Sequence, residues 1–345
     1  MKKLLFSLAV LSAVAVTAQV GINTDTPQAT LDISAKGKQE GDLRIEGVDR
    51  LYGVDWILTW DEKDKKVRKM SIKDIEWDIK NREIIDYIKG AVKNPNEVIE
   101  KIRKCPEDRL VYDKLFRKDN GKHDFVYCAT IVTGKVNDKE YKRTWLNLNL
   151  GAEYANIHSP HFEPTVSKTG TDAHNEAKTY GSLYQWQRAS DGHEFRGSQV
   201  TDKKASSWTE TDEAAGKFIT SDDGHWVSNP SPDLNLWQGG ADRVNNPCPS
   251  GYHVPTMEEW KELLNAVGSN NQMYTQNKLP NLVAAGIIHH RDSTLVLEGS
   301  HGYYWSSSAY DDSSYAHAMY FLPGSGTIDF NYRSEGLSVR CIKSN

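Results

Sequence analysis

The chain has 345 residues, with 42 Lys and Arg against 47 Asp and Glu, so its formal net charge is −5. This mild acidity gives no electrostatic reason to expect a nucleic-acid partner. The length suits one large domain or two modest ones. The 10 Trp and 16 Tyr suit compact loop-rich cores and exposed binding surfaces alike.

The first residues have the pattern of a secretory signal peptide. Two lysines precede an apolar run over residues 4–16, and Val16-Thr17-Ala18 provides the small residues of a cleavage site. The run is shorter than the ~20 residues that span a bilayer, which disfavours an uncleaved anchor. No cysteine follows it for lipid attachment, and no later segment looks membrane-spanning. We therefore expect residues 1–18 to be removed and the mature protein to be secreted, or held at the cell envelope or outer surface.

Short strands joined by turns are predicted over residues 19–70. Apolar residues alternate with turn residues in QVGINTDTPQATLDI (19–33), and WILTWDEKDKKV (56–67) predicts a strand, an exposed turn and a second strand. Residues 19–33 are similar to N-terminal segments of secreted Bacteroidetes proteins and to a motif of tail-fibre-like surface proteins. That resemblance implies self-association through the N-terminal region.

Residues 71–104 are predicted to be helical. Isoleucines spaced mostly by three or four indicate one amphipathic helix from Ser71 to about Asn94-Pro95, where Asn94 caps a second helix that ends near Cys105. The isoleucine stripe either forms a self-association stem or packs on its own domain, and its short length favours the second. Residues 105–125 are charged and carry the turn signal DNGK, which predicts a linker or an exposed hairpin.

Three groups of metal-binding or acid–base residue types occur without the spacing of a known site. His289-His290 lacks a third ligand at a recognisable spacing, so an exposed loop or strand end is favoured. The stretch from Asp191 to Glu194 is predicted to be a turn rather than a metal or acid–base site, because Asp and Gly are typical turn residues. Calcium takes about six to eight oxygens, more than Asp311-Asp312 offers, so calcium is possible but has no motif to support it. The sequence predicts no catalytic residue, no cofactor site and no metal site.

Six phrases in the C-terminal region occur in a specific order. They are TWLNLNLGA (144–152), YGSLYQWQRASDGHEFR (180–196), LWQGG (236–240), NNPCPSGYHVPTMEEW (245–260), GYYWSSS (302–308) and GLSVRCIK (336–343). Their order and spacing resemble the Fibrobacter succinogenes major paralogous domain, found on exported proteins of Fibrobacter and Bacteroidetes. The resemblance runs over residues 126–345. It implies an α+β fold of the C-type-lectin-like kind, shared with formylglycine-generating enzymes, and no general biochemical activity.

The activities of related folds are not implied for this chain. Formylglycine-generating oxidases bind copper through two nearby cysteines, whereas Cys248 and Cys341 stand where the resembling domain has structural cysteines. Calcium-dependent lectins use EPN or QPD and WND triplets, but this chain has Glu163-Pro164-Thr165 and no WND.

The stretch from Asn246 to Trp260 predicts a structural corner. Prolines on both sides of Cys248 restrict the backbone, a short strand follows over residues 252–254, and Thr256 with Glu259 forms a capping box at the start of a helix. Four apolar residues give that helix its buried face: Trp260, Leu263, Leu264 and Val267.

Four cysteines in an exported chain are expected to form disulfides, and they allow three connectivities. The resemblance implies a bridge between Cys248 and Cys341, because C-type-lectin-like domains tie their terminal strand, here residues 336–343, to an earlier element. Cys105 and Cys128 then pair with each other or remain reduced.

The composition favours an exported, non-catalytic binding or adhesion-type module that recognises glycans or a surface protein. Its candidate binding surface comprises Trp186, Trp237, Tyr303, Tyr304, Trp305, Asp311 and Asp312. The alternatives are a divergent carbohydrate-active or protein-modifying enzyme, and a structural envelope or matrix subunit. We expect residues 126–345 to fold without the preceding segment.

N-terminal sequencing tests the predicted cleavage. Protein isolated from its native envelope should begin at Gln19, which can be cyclised, because the small residues end at Ala18. Retention of Met1, measured by intact mass, would contradict secretion through this leader.

Overall fold

A computed structural model gives the fold. It describes residues 20–22, 31–33, 53, 55–62, 66–230, 236–237, 244–311 and 314–345. The chain divides into two compact units, Met1–Lys73 and Asp74–Asn345. Among the described residues, no helix has the length and apolar character needed to cross a membrane.

Among its described residues, the first unit contains two strand pairs. Strands β1 (Val20–Ile22) and β2 (Leu31–Ile33) pair in parallel, while β3 (Trp56–Asp61) and β4 (Lys66–Ser71) form an antiparallel hairpin. The predicted strand, turn and strand over residues 56–67 are thereby confirmed. The part of the predicted short strands that falls on residues 34–52 lies outside the described residues.

The rest of the described chain consists of helices, short strands and turns. The helices are α1 (Ile72–Lys80), α2 (Arg82–Ala91), α3 (Pro95–Arg103) and α4 (Met257–Val267), with short 3-10 helices at Glu107–Arg109, Glu153–Ala155, Thr171–Asn175, Ala177–Thr179, Asp212–Ala214 and Asn270–Gln272. The strands are β5 (Leu110–Tyr112), β6 (Val126–Cys128), β7 (Thr130–Val136), β8 (Lys139–Trp145), β9 (Leu183–Tyr184), β10 (Gln199–Thr201), β11 (Lys217–Ile219), β12 (Tyr252–His253), β13 (Ala285–Ile288), β14 (Leu295–Glu298), β15 (Gly302–Ala309), β16 (Tyr315–Leu322), β17 (Ser325–Tyr332), β18 (Leu337–Ser338) and β19 (Ile342–Lys343).

The helical segment differs from the prediction at two places. One helix was predicted over residues 71–93, but a turn at Asn81 divides it into α1 and α2, and the Asn81 side-chain amide donates to the Trp77 carbonyl at 2.9 Å. Asn94 does precede α3, with Pro95 in its first turn, yet the Asn94 side chain makes no capping hydrogen bond.

The isoleucine stripe packs within its own unit, as favoured above. Ile85, Ile88, Val98, Ile99 and Ile102 share one hydrophobic cluster with Val126, Ile157 and Phe162. Residues 105–125 do form part of a hairpin, because β5 pairs antiparallel with β6, but the hairpin is not exposed, because the Phe116 side chain is buried in the same cluster. The helices therefore cover apolar surface of the C-terminal region.

Two sheets and helix α4 form the centre of the second unit. One sheet has the order β12-β19-β8-β7, and the other has the order β14-β13-β15-β16-β17, with β18 paired to β15 and β9 paired to β18. Trp260, Leu263 and Leu264 of α4 lie in one cluster with Tyr304 and Met319 of the larger sheet. The architecture is α+β and mostly β.

The predicted corner is confirmed, and so are both disulfides. Thr256 and Glu259 form the reciprocal capping box of α4, which leaves the first N–H groups of the helix satisfied. Cys248 is bonded to Cys341, and Cys105 to Cys128.

The predicted single strand over residues 336–343 is wrong. This stretch contributes β18 to the larger sheet and β19 to the smaller one. Between them the carbonyls of Val339 and Cys341 accept the N–H groups of Leu150 and Leu146. The backbone there pairs with a loop, so it links the two sheets instead of continuing one strand.

Two fragments test the contribution of the helices to stability. We expect residues 74–345 and residues 126–345 both to unfold cooperatively, with a lower midpoint for the shorter fragment. The shorter fragment exposes the apolar surface under α2 and α3, and it loses the β5–β6 pairing and the Cys105–Cys128 bridge. Thermal unfolding measures the difference. Identical midpoints would contradict this role of the helices.

Candidate functional site

Most of the predicted binding surface is buried, which corrects the sequence prediction. Trp186, Trp237, Tyr304 and Trp305 are at most 2% exposed. The Trp186 indole N–H donates to the Ser306 carbonyl at 2.9 Å, and that of Trp305 to the Tyr184 carbonyl at 2.6 Å. Buried Trp residues with internal hydrogen bonds stabilise the core and have no face left to contact a ligand.

Two of the predicted residues remain accessible. Tyr303 is half-buried and packs against Tyr320, with ring centroids 4.9 Å apart. Asp311 is exposed and directly follows Tyr310. Asp312 lies outside the described residues.

A different set of aromatic residues forms a surface on the larger sheet. Strands β16 and β17 pair Tyr315 with Tyr332 and His317 with Phe330. Alternate residues of a strand point to the same face, so these four side chains lie together on the face opposite Tyr303 and Tyr320. Tyr310, just beyond β15, packs on Phe330 at 4.6 Å. We call Tyr310, Tyr315, His317, Phe330 and Tyr332 the aromatic platform.

The rings of the platform contact one another without gaps. Centroid distances are 4.5 Å between Tyr315 and Tyr332, 5.1 Å between Tyr315 and Phe330, and 5.1 Å between Tyr310 and His317. Phe330 is 42% exposed, and the other four are half-buried. In YAHAMYFL and SGTIDFNY the sequence already showed the period-two pattern that places these aromatics on one face, but sequence reasoning overlooked it.

One polar atom of the platform stands out. Within the described part of the chain, the buried Nδ1 of His317 has no hydrogen-bond partner. Buried polar atoms are nearly always bonded, so this atom is an exception within the platform, and its burial keeps it out of reach of a ligand at the surface.

The platform is held from beneath by close packing. The His290 ring lies 4.3 Å from the Tyr332 ring. The Tyr332 ring also lies against the backbone of Gly224. A Cβ at residue 224 would overlap this ring, so only glycine permits the close approach. Tyr332 is thereby fixed between two neighbours, and the platform is rigid at this end.

The stretch from Asp191 to Glu194 forms a turn, as predicted, and also a buried ion-pair network. Asp191 Oδ1 accepts the His193 N–H at 3.0 Å, and Gly192 has a φ of 104°. Glu194 Oε1 bonds to Nε2 of His123 at 2.7 Å. Asp191, His193 and Glu194 are close enough to hold a metal ion, but protein groups already bond to all three, including Arg188 on Asp191. This cluster therefore connects the turn at residues 191–194 to His123 and Arg188 by hydrogen bonds.

The charges of this network follow from its contacts. Burial opposes charge on His123, yet its hydrogen bonds to Glu194 and Asp119 raise the pKa of the imidazole to about 9. Burial likewise opposes charge on Glu194, but hydrogen bonds from His123 and His193 lower its pKa to about 2. The pair is an imidazolium and a carboxylate at neutral pH.

A cleft of about 710 Å³ lies at the corner around Cys248 and is lined by Asp113, Tyr252 and Lys343 among others. Burial raises the pKa of Asp113 to about 7. Its Oδ1 accepts the Leu115 N–H at 2.9 Å. A raised carboxyl pKa in a cleft is a common property of general acids, but this carboxyl is engaged in holding the turn that follows β5.

The histidine pair directly follows β13, so it lies at a strand end, as predicted, but it is not an exposed loop. His290 is only 3% exposed, and Glu335, which is distant in sequence, offers a third ligand atom within 4.8 Å of those of His289 and His290. Burial lowers the pKa of His290 and raises the pKa of Glu335. Sequence reasoning missed Glu335 because strand pairing, not spacing along the chain, brings it there.

Two family models match the C-terminal region of the chain. Residues 142–298 match a family model described as the Fibrobacter succinogenes major domain, and residues 269–342 match one described as a domain of unknown function (DUF8237). No curated protein matches the chain. No solved structure matches it either. The platform residues lie within 269–342.

The mutation Asp113→Asn tests the buried carboxyl. The folded pKa of about 7 lies above the usual ~3.9 of an unfolded Asp, so the native state binds the proton more tightly. The stability that the folded state gains from protonated Asp113 is fully present below pH ~4 and is lost as the pH rises through 7. The mutant keeps the Oδ1 acceptor and avoids burying a charge. Its stability relative to the unmutated chain should therefore grow between pH 5 and pH 8, by on the order of 2–4 kcal/mol.

Denaturant unfolding at several pH values measures this difference. Asp108→Asn is the matched control, because Asp108 lines the same cleft but is exposed. A pH-independent difference for Asp113→Asn would contradict the raised pKa.

Proposed function

The chain belongs to the Fibrobacter succinogenes major domain family through residues 142–298, and we propose that it is an exported, non-catalytic module that binds glycans at the aromatic platform. The observation that supports this function is the contact between the five platform rings, with Phe330 at 42% exposure. Contiguous aromatic rings at a protein surface are otherwise costly to leave in water.

The chemistry of the platform suits a sugar. The apolar face of a pyranose ring packs on an aromatic ring, while its hydroxyl groups need polar partners at the edge. The exposed Asp311 carboxylate directly follows Tyr310 of the platform. A hydroxyl that bonds to this carboxylate would fix the orientation of the sugar.

The size of the platform favours a glycan over a protein partner. A stable protein interface buries about 800 Å² on each side and about 20–30 residues. The platform has five side chains, which matches a few sugar units better than a protein surface of that extent.

We further propose the C-type-lectin-like fold for residues 126–345. The α+β architecture and the disulfide that ties the terminal segment to an earlier corner support it. Binding at the platform would not use the calcium motifs of that fold, since the chain lacks them.

The first unit would serve as a spacer or assembly element on the cell surface. Trp56, Leu58 and Trp60 alternate along β3 and are 51%, 75% and 54% exposed. An exposed apolar strand face is a common site of self-association. This observation favours a structural envelope or matrix subunit as the second candidate function.

A glycan array probed with the mature protein tests the proposed function. We expect binding to a defined glycan class, with an affinity for the isolated glycan roughly tenfold weaker in Phe330→Ala and in Tyr310→Ala. Each substitution removes a stacking ring, and tenfold corresponds to about 1.4 kcal/mol.

Two aromatic substitutions elsewhere act as controls. Tyr320→Ala changes the opposite face of the same sheet, and Trp60→Ala changes the exposed face of β3, so both should bind normally. If the array shows no binding while light scattering shows self-assembly that Trp60→Ala abolishes, the structural-subunit function is correct and glycan binding is not.

A further inference from the structure

Strand pairing brings three metal-ligating side chains together at one end of β13. Ile288 and Gly336 form an antiparallel bridge, with both N–H groups donating to the opposite carbonyl at 3.0 Å. The next residue after Ile288 is His289, and the residue before Gly336 is Glu335. In antiparallel pairing these two stand opposite each other, so the bridge itself positions a histidine against a carboxylate.

The close approach of the two backbones depends on residue 336. A Cβ there would lie 3.0 Å from Ile288 Cβ and 3.0 Å from the Phe218 ring. Glycine therefore permits the bridge to form, and with it the contact between the turn that carries Glu335 and the one that carries the histidines.

Hydrogen bonds orient the side chains of His290 and Glu335. His290 Nδ1 lies 2.7 Å from the Ser221 carbonyl, which can only accept, so Nδ1 carries the proton and Nε2 keeps its lone pair. Glu335 Oε2 accepts N–H groups from Tyr332 at 3.1 Å and from Asn331 at 3.0 Å. His289 Nδ1 accepts the Arg291 backbone N–H at 3.4 Å and also lies 3.4 Å from the Asp292 carboxylate, so the half-exposed His289 ring is held less firmly than the other two side chains.

The hydrogen bonds of His290 and Glu335 are of the kind that hold ligand side chains in known metal sites. A ligating histidine commonly donates its other ring N–H to a backbone carbonyl or a carboxylate, and a ligating carboxylate is itself hydrogen-bonded. His290 and Glu335 are buried and fixed in this way. By contrast, the atoms of Asp191, His193 and Glu194 are occupied by protein partners.

We propose that His289, His290 and Glu335 bind one divalent cation of the zinc class. Two imidazoles and one carboxylate are ligands that zinc accepts, at about 2.0–2.2 Å each, and calcium, which takes oxygen ligands, is disfavoured. The ligand atoms lie within 4.8 Å of one another, whereas those of a tetrahedral zinc site lie roughly 3.4 Å apart. Rotation of His289, whose side chain is 42% exposed, closes that distance.

The bound cation would fasten two turns of the larger sheet. Three protein ligands leave a fourth position for water or an oxygen of a ligand. His290 also packs on Tyr332 of the platform at 4.3 Å, so the cation would brace the platform. This site is inferred from its own geometry and does not depend on glycan binding.

Metal titration of the chelator-treated mature chain, without a histidine tag, tests the site. Calorimetry should show one zinc ion bound per chain, and zinc should raise the thermal midpoint. Cobalt bound in the same place should give the intense visible absorption of a tetrahedral or five-coordinate ion. Calcium should produce neither effect.

Substitutions separate the site from other metal binding. His289→Ala should weaken zinc binding by at least the roughly 10–100-fold that loss of a residue holding a metal ligand costs, and Glu335→Gln should weaken it as well. His161→Ala, which removes an exposed histidine elsewhere, should leave it unchanged. His289 is half-exposed, so its removal should not prevent folding. Absence of saturable binding, a cobalt spectrum like that of the aqueous ion, or unchanged affinity in His289→Ala would each overturn the proposal.

Discussion

The buried guanidinium of Arg340 is the interaction on which the second unit depends. Its donors make five hydrogen bonds to neutral oxygens, two to Asn149 Oδ1 and one each to the carbonyls of Leu146, Pro280 and Asn281. A guanidinium has five N–H donors, so every one is used. Burial lowers the pKa of Arg340 only to about 10, so it stays charged. An unpaired buried charge costs several kcal/mol, and this one forces three distant segments to converge.

The residue after Arg340 is Cys341, and its disulfide fixes this segment covalently to the corner at Cys248. Cys341 is bonded to Cys248 across a separation of 93 residues, which the chain-entropy model values at about 4–5 kcal/mol. Between Leu337 and Lys343 the chain passes from the larger sheet to the smaller one. Because most strands here are short, the two sheets are held as one core by this crossing segment and by the tryptophans packed around it.

The same scaffold determines which side chains are available to a ligand. Trp186 and Trp305 are used in the core, where backbone carbonyls satisfy their indole N–H groups. The longer strands β15 to β17 extend beyond α4, and at that end the aromatic platform lies beside His290. Both proposed sites therefore depend on one end of one sheet, and their rigidity follows from the packing of Tyr332.

The sequence by itself determined the features that arise from local chemistry. The capping box at Thr256 and Glu259, the hairpin over residues 56–67 and the buried face of α4 each depend on neighbours a few residues away, and the structure confirms them. The resemblance to a known family implied the Cys248–Cys341 disulfide, whereas the Cys105–Cys128 pairing was left open until the structure showed it. The tertiary structure alone decided which aromatics are buried, because a tryptophan suits a core and a surface equally. It also decided that Glu335 meets His289, because a single bridge between Ile288 and Gly336 sets that contact, and no spacing along the chain encodes a pairing between strands so far apart.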